Sequence, residues 1–492
     1  MESKPQYPFH CLRYVGRKDL NVIIATAGAK IYSISAEDGR KLSTWPPATN
    51  PSNGAVQVAS DVHGDEPPEK RRKLTPSSNG KDEQGVAHGG SASTAQPLAW
   101  SSIPIMVISH SGRYVIALTG EDKHVRVFEI GVDGVLTQLT SRPVPKRPCG
   151  ISLSFDDSTI FCADKAGDVY ALPLLLSEDE IRLVSRTKKH YPPAANTLVV
   201  HSKRNLETLR QQLLHHGQAR PTTANPTVKR DILLGHVSML TDLAIASLPS
   251  STSTNNSQLF ILTSDRDEQI RVSRGPPQTH VIESYCLGHE AFVSKLCIPA
   301  SLPQILISGG GDDYLFVWDW RTGQVLHKIP IASDRNQGKI VVRGIWAFSI
   351  DGSSSVAVLV ALDGSPELLS FLLLQDGSLL PQKSFETSGN VLDVTWAEDK
   401  STLFISVDTC HEPGSIETWK KEFKGNQSLL ETYTIKFQDE MLTFNPASSQ
   451  ILENIKAEGT EDVYAVVDES CRLKAQKSLS GVLYNLQNLR KR

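Results

Sequence analysis

Cysteine is scarce in this chain, and no two cysteines are spaced as CxxC. The seven residues are Cys11, Cys149, Cys162, Cys286, Cys297, Cys410 and Cys471. An odd number without metal-ligand spacing argues against both a disulfide framework and a zinc site. The sequence therefore predicts free thiols in a reducing compartment.

Long apolar runs are also missing. The run Val356–Leu362 ends at Asp363 and Gly364, far short of the roughly 20 apolar residues that a membrane-spanning helix needs. The first residues lack the basic flank, apolar core and cleavage site of a secretory signal. We expect an intracellular protein without membrane contact.

Neither sign of charge dominates the sequence. Lys and Arg total 51 and Asp and Glu total 54, which gives a net charge of −3. Such a chain has no general attraction for a phosphate backbone. Any contact with nucleic acid is expected to be local, or to be made through a partner.

Pro, Ser, Gly, Asn and charged residues replace large apolar side chains between residues 46 and 97. Burial cannot offset the entropy of ordering such a segment, so we expect a disordered insertion. It contains the basic run Lys70-Arg71-Arg72-Lys73. Nuclear import receptors read runs of this kind, although solvated charge without a function has the same composition. The import interpretation predicts a nuclear protein.

A second interruption, at residues 177–230, carries an apolar stripe at helical spacing, formed by Leu206, Leu209 and Leu213. This spacing predicts a partly helical insertion. The stripe fits either a short surface helix packed on the protein or a helix that fills a groove on a partner.

Elsewhere the chain consists of short runs rich in Val, Ile, Leu and Phe, separated by Gly, Asp-Gly, Ser and Asn. This pattern is typical of strands and hairpins. An Asp recurs six residues before the position that closes a strand, at Asp122, Asp164, Asp267 and Asp312, and more weakly at Asp363 and Asp408. Spacings of 42, 45 and 45 residues within this series match the ~40–45 residues of a WD-type propeller blade. The larger gap, from Asp164 to Asp267, contains the second insertion.

Two of these repeats carry an upstream Gly-His dipeptide, Gly235-His236 and Gly288-His289. In WD repeats this His forms a hydrogen-bonded set with the Asp, a strand Ser or Thr such as Thr263, and a Trp. We therefore assign a scaffolding role within the blades to His236, Asp267, His289, Ser308, Asp312 and Trp318.

Strand clusters give seven blades, at residues 9–35, 100–130, 146–176, 231–274, 281–329, 340–374 and 389–436. We predict an all-β fold, a seven-bladed WD-repeat β-propeller over residues 1–436 that carries the two insertions. Residues 437–492 are predicted to be an extension that packs on the propeller or closes it. The first strand is expected to complete the last blade. Closure removes exposed sheet edges, so the inter-blade loops are left for binding.

No residue pattern predicts an active site, a cofactor or a metal. Gly309-Gly310-Gly311 lacks the Lys-Ser/Thr of a phosphate loop. His215-His216, and Cys286 with His289, lack the further ligands that zinc needs. A GxSxG elbow is absent as well. We expect a binding scaffold without chemistry of its own.

Four sequence runs resemble a known family, the non-catalytic WD-repeat subunit of the eukaryotic tRNA (guanine-N7)-methyltransferase. They are ADKAGDVYAL at 163–172, LGHVSMLTDLAIA at 234–246, FILTSDRDEQIRVSR at 260–274 and IESYCLGHEAFVS at 282–294. Ser273 replaces the usual Trp of the repeat, which makes the match more specific. The long N-terminal insertion resembles that of the fungal members.

The resemblance implies a heterodimer with a catalytic subunit that uses S-adenosylmethionine and methylates a guanine in the variable loop of tRNA. The propeller would stabilise that subunit and contact tRNA weakly or indirectly. Charged residues at strand ends and turns of the resembling runs are the predicted partner-binding residues, namely Lys165, Asp168, Asp265, Arg266 and Glu268. The alternative is a WD-repeat substrate receptor or assembly platform of a ubiquitin ligase or chromatin complex, and an enzyme in its own right is a more distant one.

Overall fold

The structure of the chain, a computed structural model, describes residues 4–47, 101–176, 206–207, 210, 231–249, 257–331, 340–350, 353–398, 401–423, 428–447, 450–464 and 472–491. Nearly all of the predicted disordered insertion, with Lys70, Arg71, Arg72 and Lys73, lies outside these ranges. In the second insertion only Leu206, Glu207 and Arg210 are described, and they are helical. The expectations for both insertions stay predictions.

The strands of the described chain form seven antiparallel sheets. The first three contain β1 (Cys11–Arg17), β2 (Leu20–Ala27), β3 (Lys30–Ser35) and β4 (Lys41–Trp45); β5 (Ile105–Ile108), β6 (Tyr114–Thr119), β7 (His124–Ile130) and β8 (Leu136–Pro143); and β9 (Pro148–Leu153), β10 (Thr159–Asp164), β11 (Asp168–Pro173) and β12 (Asp231–Gly235). The fourth and fifth contain β13 (Leu240–Pro249), β14 (Ser257–Asp265), β15 (Gln269–Arg274) and β16 (Ile282–Leu287); and β17 (Val293–Cys297), β18 (Ile305–Gly310), β19 (Tyr314–Asp319) and β20 (Gln324–Pro330). The last two contain β21 (Val342–Ser349), β22 (Val356–Leu362), β23 (Glu367–Leu373), β24 (Leu379–Pro381) and β25 (Phe385–Glu386); and β26 (Val391–Ala397), β27 (Thr402–Val407), β28 (Leu430–Gln438) and β29 (Met441–Pro446).

The sheets are the blades of a closed ring. The first strand of each sheet lies beside the first strand of the next, and β1 of the first sheet lies beside β26 of the seventh. The predicted seven-bladed β-propeller is confirmed.

Each blade is built from consecutive strands. The prediction that the first strand completes the last blade is wrong, because β1 pairs only within the first sheet and the seventh sheet has its own four strands. The seventh blade also extends to Pro446, beyond the boundary predicted at residue 436. Similarly, β12 and β16, predicted to open the fourth and fifth blades, are the outer strands of the third and fourth.

Apolar residues on the middle strands pack the blades against one another. All seven residues of β22, VAVLVAL, are buried, because a neighbouring blade covers each face of the sheet. Ile307 and Val317 of the fifth blade share one core cluster with Val358 and Phe371 of the sixth. The outer strand β20, in contrast, is mostly exposed.

The C-terminal extension fastens the seam between the seventh and first blades. It begins with helix α1 (Gln450–Glu458), whose buried Ile455 packs with Phe404 of the seventh blade and Ala36 beside the first. Residues 459–463 then run along the N-terminal segment, where the Tyr7 amide donates to the Glu461 carbonyl at 3.0 Å. The extension therefore contributes to closure in place of a shared strand.

The rest of the extension crosses the face that carries the turns between the second and third strands of the blades, which we call the upper face. It consists of helix α2 (Arg472–Leu483) and a 3₁₀ helix (Leu486–Leu489). Leu479 and Leu483 of α2 are buried beside Leu392 of the seventh blade, and Leu489 is buried beside Phe292 of the fifth.

Candidate partner-binding rim

The fifth blade contains a complete hydrogen-bonded set of His, Asp, Ser and Trp. Because a carboxylate only accepts, His289 Nδ1 donates to Asp312 Oδ2 at 2.6 Å, which leaves Nε2 to accept from Ser308 Oγ at 2.8 Å. Trp318 Nε1 donates to the same Ser308 Oγ at 2.8 Å. All four residues are buried, so the structure places them in the blade scaffold.

The fourth blade has only part of this set. His236 Nε2 accepts from Thr263 Oγ1 at 2.9 Å, but its Nδ1 donates to the carbonyl of Gly167 in the third blade, at 3.1 Å. Ser273, at the position of the missing Trp, accepts from Arg271 Nε at 3.0 Å. The ring of His236 therefore links two blades instead of bonding to an Asp.

The scaffolding role predicted for Asp267 is wrong. Its side chain is half exposed, and a carboxylate oxygen lies 3.3 Å from Lys491 Nζ near the C-terminus. Asp265 stabilises the turn instead, because its Oδ1 accepts from the backbone amides of Asp267 at 2.9 Å and Gln269 at 3.0 Å. Asp265 is 6% exposed, and burial raises the pKa of its carboxyl group. It is therefore a turn residue and not the exposed partner-binding residue that was predicted.

The other predicted residues of this turn contact the chain's own C-terminus. Arg266 donates from Nε to the Leu489 carbonyl at 2.8 Å and from its terminal nitrogen to the Arg490 carbonyl at 3.2 Å. Glu268 Oε1 lies 2.9 Å from Lys491 Nζ. A partner that reaches this turn would meet Arg266 and Glu268 together with the terminal residues.

Lys165 lies in the equivalent turn of the third blade. Its side chain is exposed, and it has no hydrogen-bond or ion-pair partner among the described residues. Partial desolvation, and then the neighbouring Arg147, lower the pKa of Lys165 below the ordinary 10.5. Asp168, at the end of the same turn, is half-buried. Of the predicted partner-binding residues, Lys165 has the charged group most accessible to a partner.

The two turns border one connecting segment, residues 236–239. The His236 amide donates to the Gly167 carbonyl at 2.8 Å, and the Arg266 amide donates to the Met239 carbonyl at 2.9 Å. The structure therefore brings the turns 164–168 and 265–269 together on one stretch of the upper face, which we call the blade 3–4 rim.

A second set of the same four residue types was not predicted. His411 Nδ1 donates to Asp408 Oδ2 at 2.7 Å, and its Nε2 accepts from Ser480 Oγ at 2.8 Å. Trp419 Nε1 donates to Ser480 Oγ at 3.2 Å. Burial alone would raise the pKa of Asp408, but hydrogen bonds, first that from His411, hold it below its ordinary value. No sequence pattern predicts this set, because Ser480 lies on helix α2, 61 residues along the chain from Trp419 and 69 from His411.

This set contains the residue types of a hydrolase triad but has the geometry of a scaffold. His411 and Asp408 have no exposed side-chain surface, and Trp419 donates to the serine oxygen as Trp318 does in the fifth blade. The arrangement fixes α2 on the seventh blade and occupies the serine oxygen with hydrogen bonds to His411 and Trp419.

Other chemical groups of the described chain add no reactive centre. The six described cysteines are free, and burial raises the pKa of the Cys286 thiol to about 12. Within the described ranges, no group of three or more His, Cys, Asp or Glu is placed to hold a metal. A bilayer-spanning helix is likewise not found among these residues.

Comparison with known proteins matches residues 23–433 to the family model described as tRNA methyltransferase TRM82 WD40 domain. The chain is 44% identical to the tRNA (guanine-N(7)-)-methyltransferase non-catalytic subunit trm82 of Aspergillus clavatus, over 100% of this chain and 99% of the relative. It is 45% identical to the subunit of the same name in Aspergillus fumigatus, over 99% and 98%. The subunit of Debaryomyces hansenii is 25% identical, over 78% and 83%.

Two solved structures resemble the chain at low sequence identity. The structure of U3-55K has a TM-score of 0.49 and 13% identity and covers 86% of this chain and 94% of its own. The RRP9 WD40 repeats have a TM-score of 0.49 and 12% identity and cover 85% and 96%.

Proposed function

The chain belongs to the tRNA methyltransferase TRM82 WD40 domain family, and we propose that it is the non-catalytic subunit of a tRNA (guanine-N7)-methyltransferase. In this role it binds and stabilises a separate catalytic subunit, which uses S-adenosylmethionine to form N7-methylguanine in the variable loop of tRNA. The observation that carries the proposal is the 44% identity to a subunit of that name over the whole length of the chain.

The geometry of the described residues supports a scaffolding role. The His, Asp and Ser side chains that could serve as catalytic groups in the fifth and seventh blades are hydrogen-bonded to one another and to a Trp. They are used to hold strands and helix α2 together. A closed ring with such internal ties presents its turns rigidly to a partner.

We assign the docking surface to the blade 3–4 rim. Lys165 offers an exposed cation whose pKa is already lowered by desolvation and by Arg147. A carboxylate on the catalytic subunit would satisfy this cation, and complementary charge favours one docked orientation over others. We propose that the two proteins associate as a heterodimer through this rim.

Contact with tRNA is proposed to be weak or indirect. The net charge of −3 gives the whole chain no attraction for phosphate, so the complex and not the propeller alone should retain tRNA. Filter binding of tRNA over a salt series compares the chain, the catalytic subunit and the complex. Tight binding by the chain alone would contradict this part of the proposal.

We propose nuclear localisation through Lys70-Arg71-Arg72-Lys73. The other basic run, at the C-terminus, is engaged in the fold at Arg490, which donates to the carbonyls of Gly311 and Ile340. A fluorescent fusion with the four basic residues changed to Ala should lose nuclear accumulation. Unchanged accumulation would remove this assignment.

The alternative, a platform of a ubiquitin ligase or chromatin complex, is not favoured by the relatives. Affinity purification separates the two functions. If the proposed function is correct, the chain co-purifies with a single methyltransferase. If the alternative is correct, it co-purifies with the subunits of a larger assembly.

The decisive experiment is reconstitution. The chain and the methyltransferase encoded in the same genome are purified separately and after co-expression, and N7-methylguanine in tRNA is measured. We expect high activity only from the complex, and neither S-adenosylmethionine binding nor methyl transfer from the chain alone. Methylation by this chain alone, or full activity of the other subunit without it, would overturn the proposal.

A further inference from the structure

The end of the chain spans four blades of the upper face. Ser480 bonds to His411 of the seventh blade, and the Leu483 carbonyl accepts from Arg343 of the sixth at 2.7 Å. Arg490 donates to the Gly311 carbonyl of the fifth blade at 3.0 Å. The course ends at the 265–269 turn of the fourth blade, on the blade 3–4 rim. We call residues Leu486–Lys491 the terminal strap.

The turns of the third and fourth blades have the same hydrogen-bond pattern. In the third, Asp164 Oδ1 accepts from the amides of Ala166 at 2.8 Å and Asp168 at 3.2 Å. Asp265 accepts from the two corresponding amides in the fourth. The two turns therefore serve as matched copies of one structure.

The third-blade and fourth-blade turns differ in the residue that adopts a positive φ. The third blade has Gly167, with φ +101°, and the fourth has Glu268, with φ +72°. The left-handed region is open to glycine but unfavourable for a residue with a Cβ. The fourth-blade turn therefore depends more on outside support. Arg266 receives that support from the Leu489 and Arg490 carbonyls of the strap, whereas Glu268 adds only a surface ion pair with Lys491.

We propose that the terminal strap is a positioning device that holds the 265–269 turn in the conformation to which the catalytic subunit docks. This inference rests on the proposed function and on the assignment of the docking surface to the blade 3–4 rim. The strap acts through the turn and does not itself have to touch the partner.

The contacts of the strap show that it is a fixed part of the upper face. Leu489 is 9% exposed among Phe292 and Val341, and the Arg490 guanidinium lies 5.7 Å from the centre of the Phe292 ring. Lys491, in contrast, makes its ion pairs at the surface, where such pairs contribute little. The anchoring therefore comes from Leu489, Arg490 and Arg266.

The first test is truncation after Asn485, which removes the strap and leaves α2 in place. Amide hydrogen exchange of the free protein should speed up at Asp267 and Gln269, while Ala166 and Asp168 of the matched turn stay unchanged. Affinity for the catalytic subunit should fall about tenfold or more, because the partner must now order the turn on binding. Unchanged exchange at Asp267 and Gln269 would overturn the inference.

The second test separates an indirect role of Arg266 from direct contact with the partner. Arg266→Ala cuts the tie between turn and strap, so it should weaken binding as the truncation does and add little to it in the combined variant. Additive losses would show that Arg266 touches the partner itself. Lys474→Ala, at an exposed site on helix α2 outside the strap, is the control and should bind normally.

The two proposals fail in different ways. If the intact chain does not bind the methyltransferase, the proposed function fails. If the intact chain binds and the truncated chain binds equally well, only the role of the strap fails.

Discussion

Arg13 and Asp393 lie 380 residues apart in the sequence and form an ion pair of 2.7 Å across the seam of the ring. The same carboxylate accepts from the Leu12 amide at 2.8 Å. Its other oxygen accepts from Trp346 Nε1 at 3.2 Å and from the Val394 amide at 2.9 Å. One side chain thus ties together the first, sixth and seventh blades.

Replacement of Asp393 by Ala should destabilise the propeller by about 2–3 kcal/mol, because several buried or half-buried donors lose their acceptor. Urea unfolding followed by tryptophan fluorescence measures the loss. Glu129→Ala is the control, since Glu129 pairs with Arg113 at the surface and should cost less than about 1 kcal/mol. Equal losses in both variants would show that Asp393 does not fasten the seam.

Ser308→Ala should cost about 1–3 kcal/mol, because His289 and Trp318 both lose their partner in a buried site. Thr263→Val is the comparison at the corresponding position of the fourth blade. There His236 is only half-buried, so water can replace the lost hydrogen bond and the thermal midpoint should fall less. A larger effect at Thr263 would contradict the assignment of the complete set to the fifth blade.

Lys165→Glu should abolish or strongly weaken co-purification of the catalytic subunit without change in the melting temperature, because the Lys165 side chain is exposed and has no hydrogen-bond or ion-pair partner among the described residues. A charge reversal against a partner carboxylate replaces attraction by repulsion. Lys383→Glu, exposed on the sixth blade, is the matched control and should bind normally. Normal binding by Lys165→Glu would move the docking surface to another face.

His10 should make the stability of the propeller depend on pH. Its Nε2 donates to the Ile103 carbonyl at 2.7 Å, and burial lowers its pKa from 6.5 to about 4. Between these two values the unfolded chain binds a proton that the folded chain does not. The free energy of unfolding should therefore fall as pH decreases from about 6.5 to about 4, and this contribution should be fully present above that window.

His10→Gln keeps a donor for the Ile103 carbonyl but removes the titration. Urea unfolding at pH 7 and at pH 5 should show a smaller loss of stability on acidification for this variant than for the wild type. His280→Gln, at an exposed site, controls for the removal of a histidine. An unchanged pH dependence in His10→Gln would show that another group accounts for it.

The sequence predicted the propeller and the length of its repeat, but not the place of each Asp within a turn. Asp164 and Asp265 begin their turns, and each accepts from two backbone amides. Asp312 lies two residues beyond the end of its strand, β18, and bonds to His289. A period of 40–45 residues measures the distance from turn to turn. Asp267 stands where Asp312 stands, two residues beyond the end of its second strand, but His236 Nδ1 bonds to the Gly167 carbonyl instead. The repeat period gives no sign of that change of partner.

The contacts of the terminal strap could not be predicted for a different reason. Arg266 and Arg490 donate to main-chain carbonyls at Leu489, Gly311 and Ile340. Every residue has such an acceptor, so the sequence does not mark the ones that are used. The charged residues of the 265–269 turn were visible in the sequence. Only the fold shows that residues 489–491 of the same chain bond to Arg266, Asp267 and Glu268.

Because residues 450–464 fasten the seam, the ring can be fastened only after all seven blades have been synthesised. A ribosome releases the first blade early, at about 5–20 residues per second, whereas helix α1 emerges only after all seven blades. Until then Phe9 and Ala36, which lie in the apolar cluster that Ile455 completes, lack their cover. Transiently exposed apolar surface of this kind makes a partly folded chain prone to aggregate. A messenger that terminates just before residue 450 would encode all seven blades and still yield a ring that is not fastened.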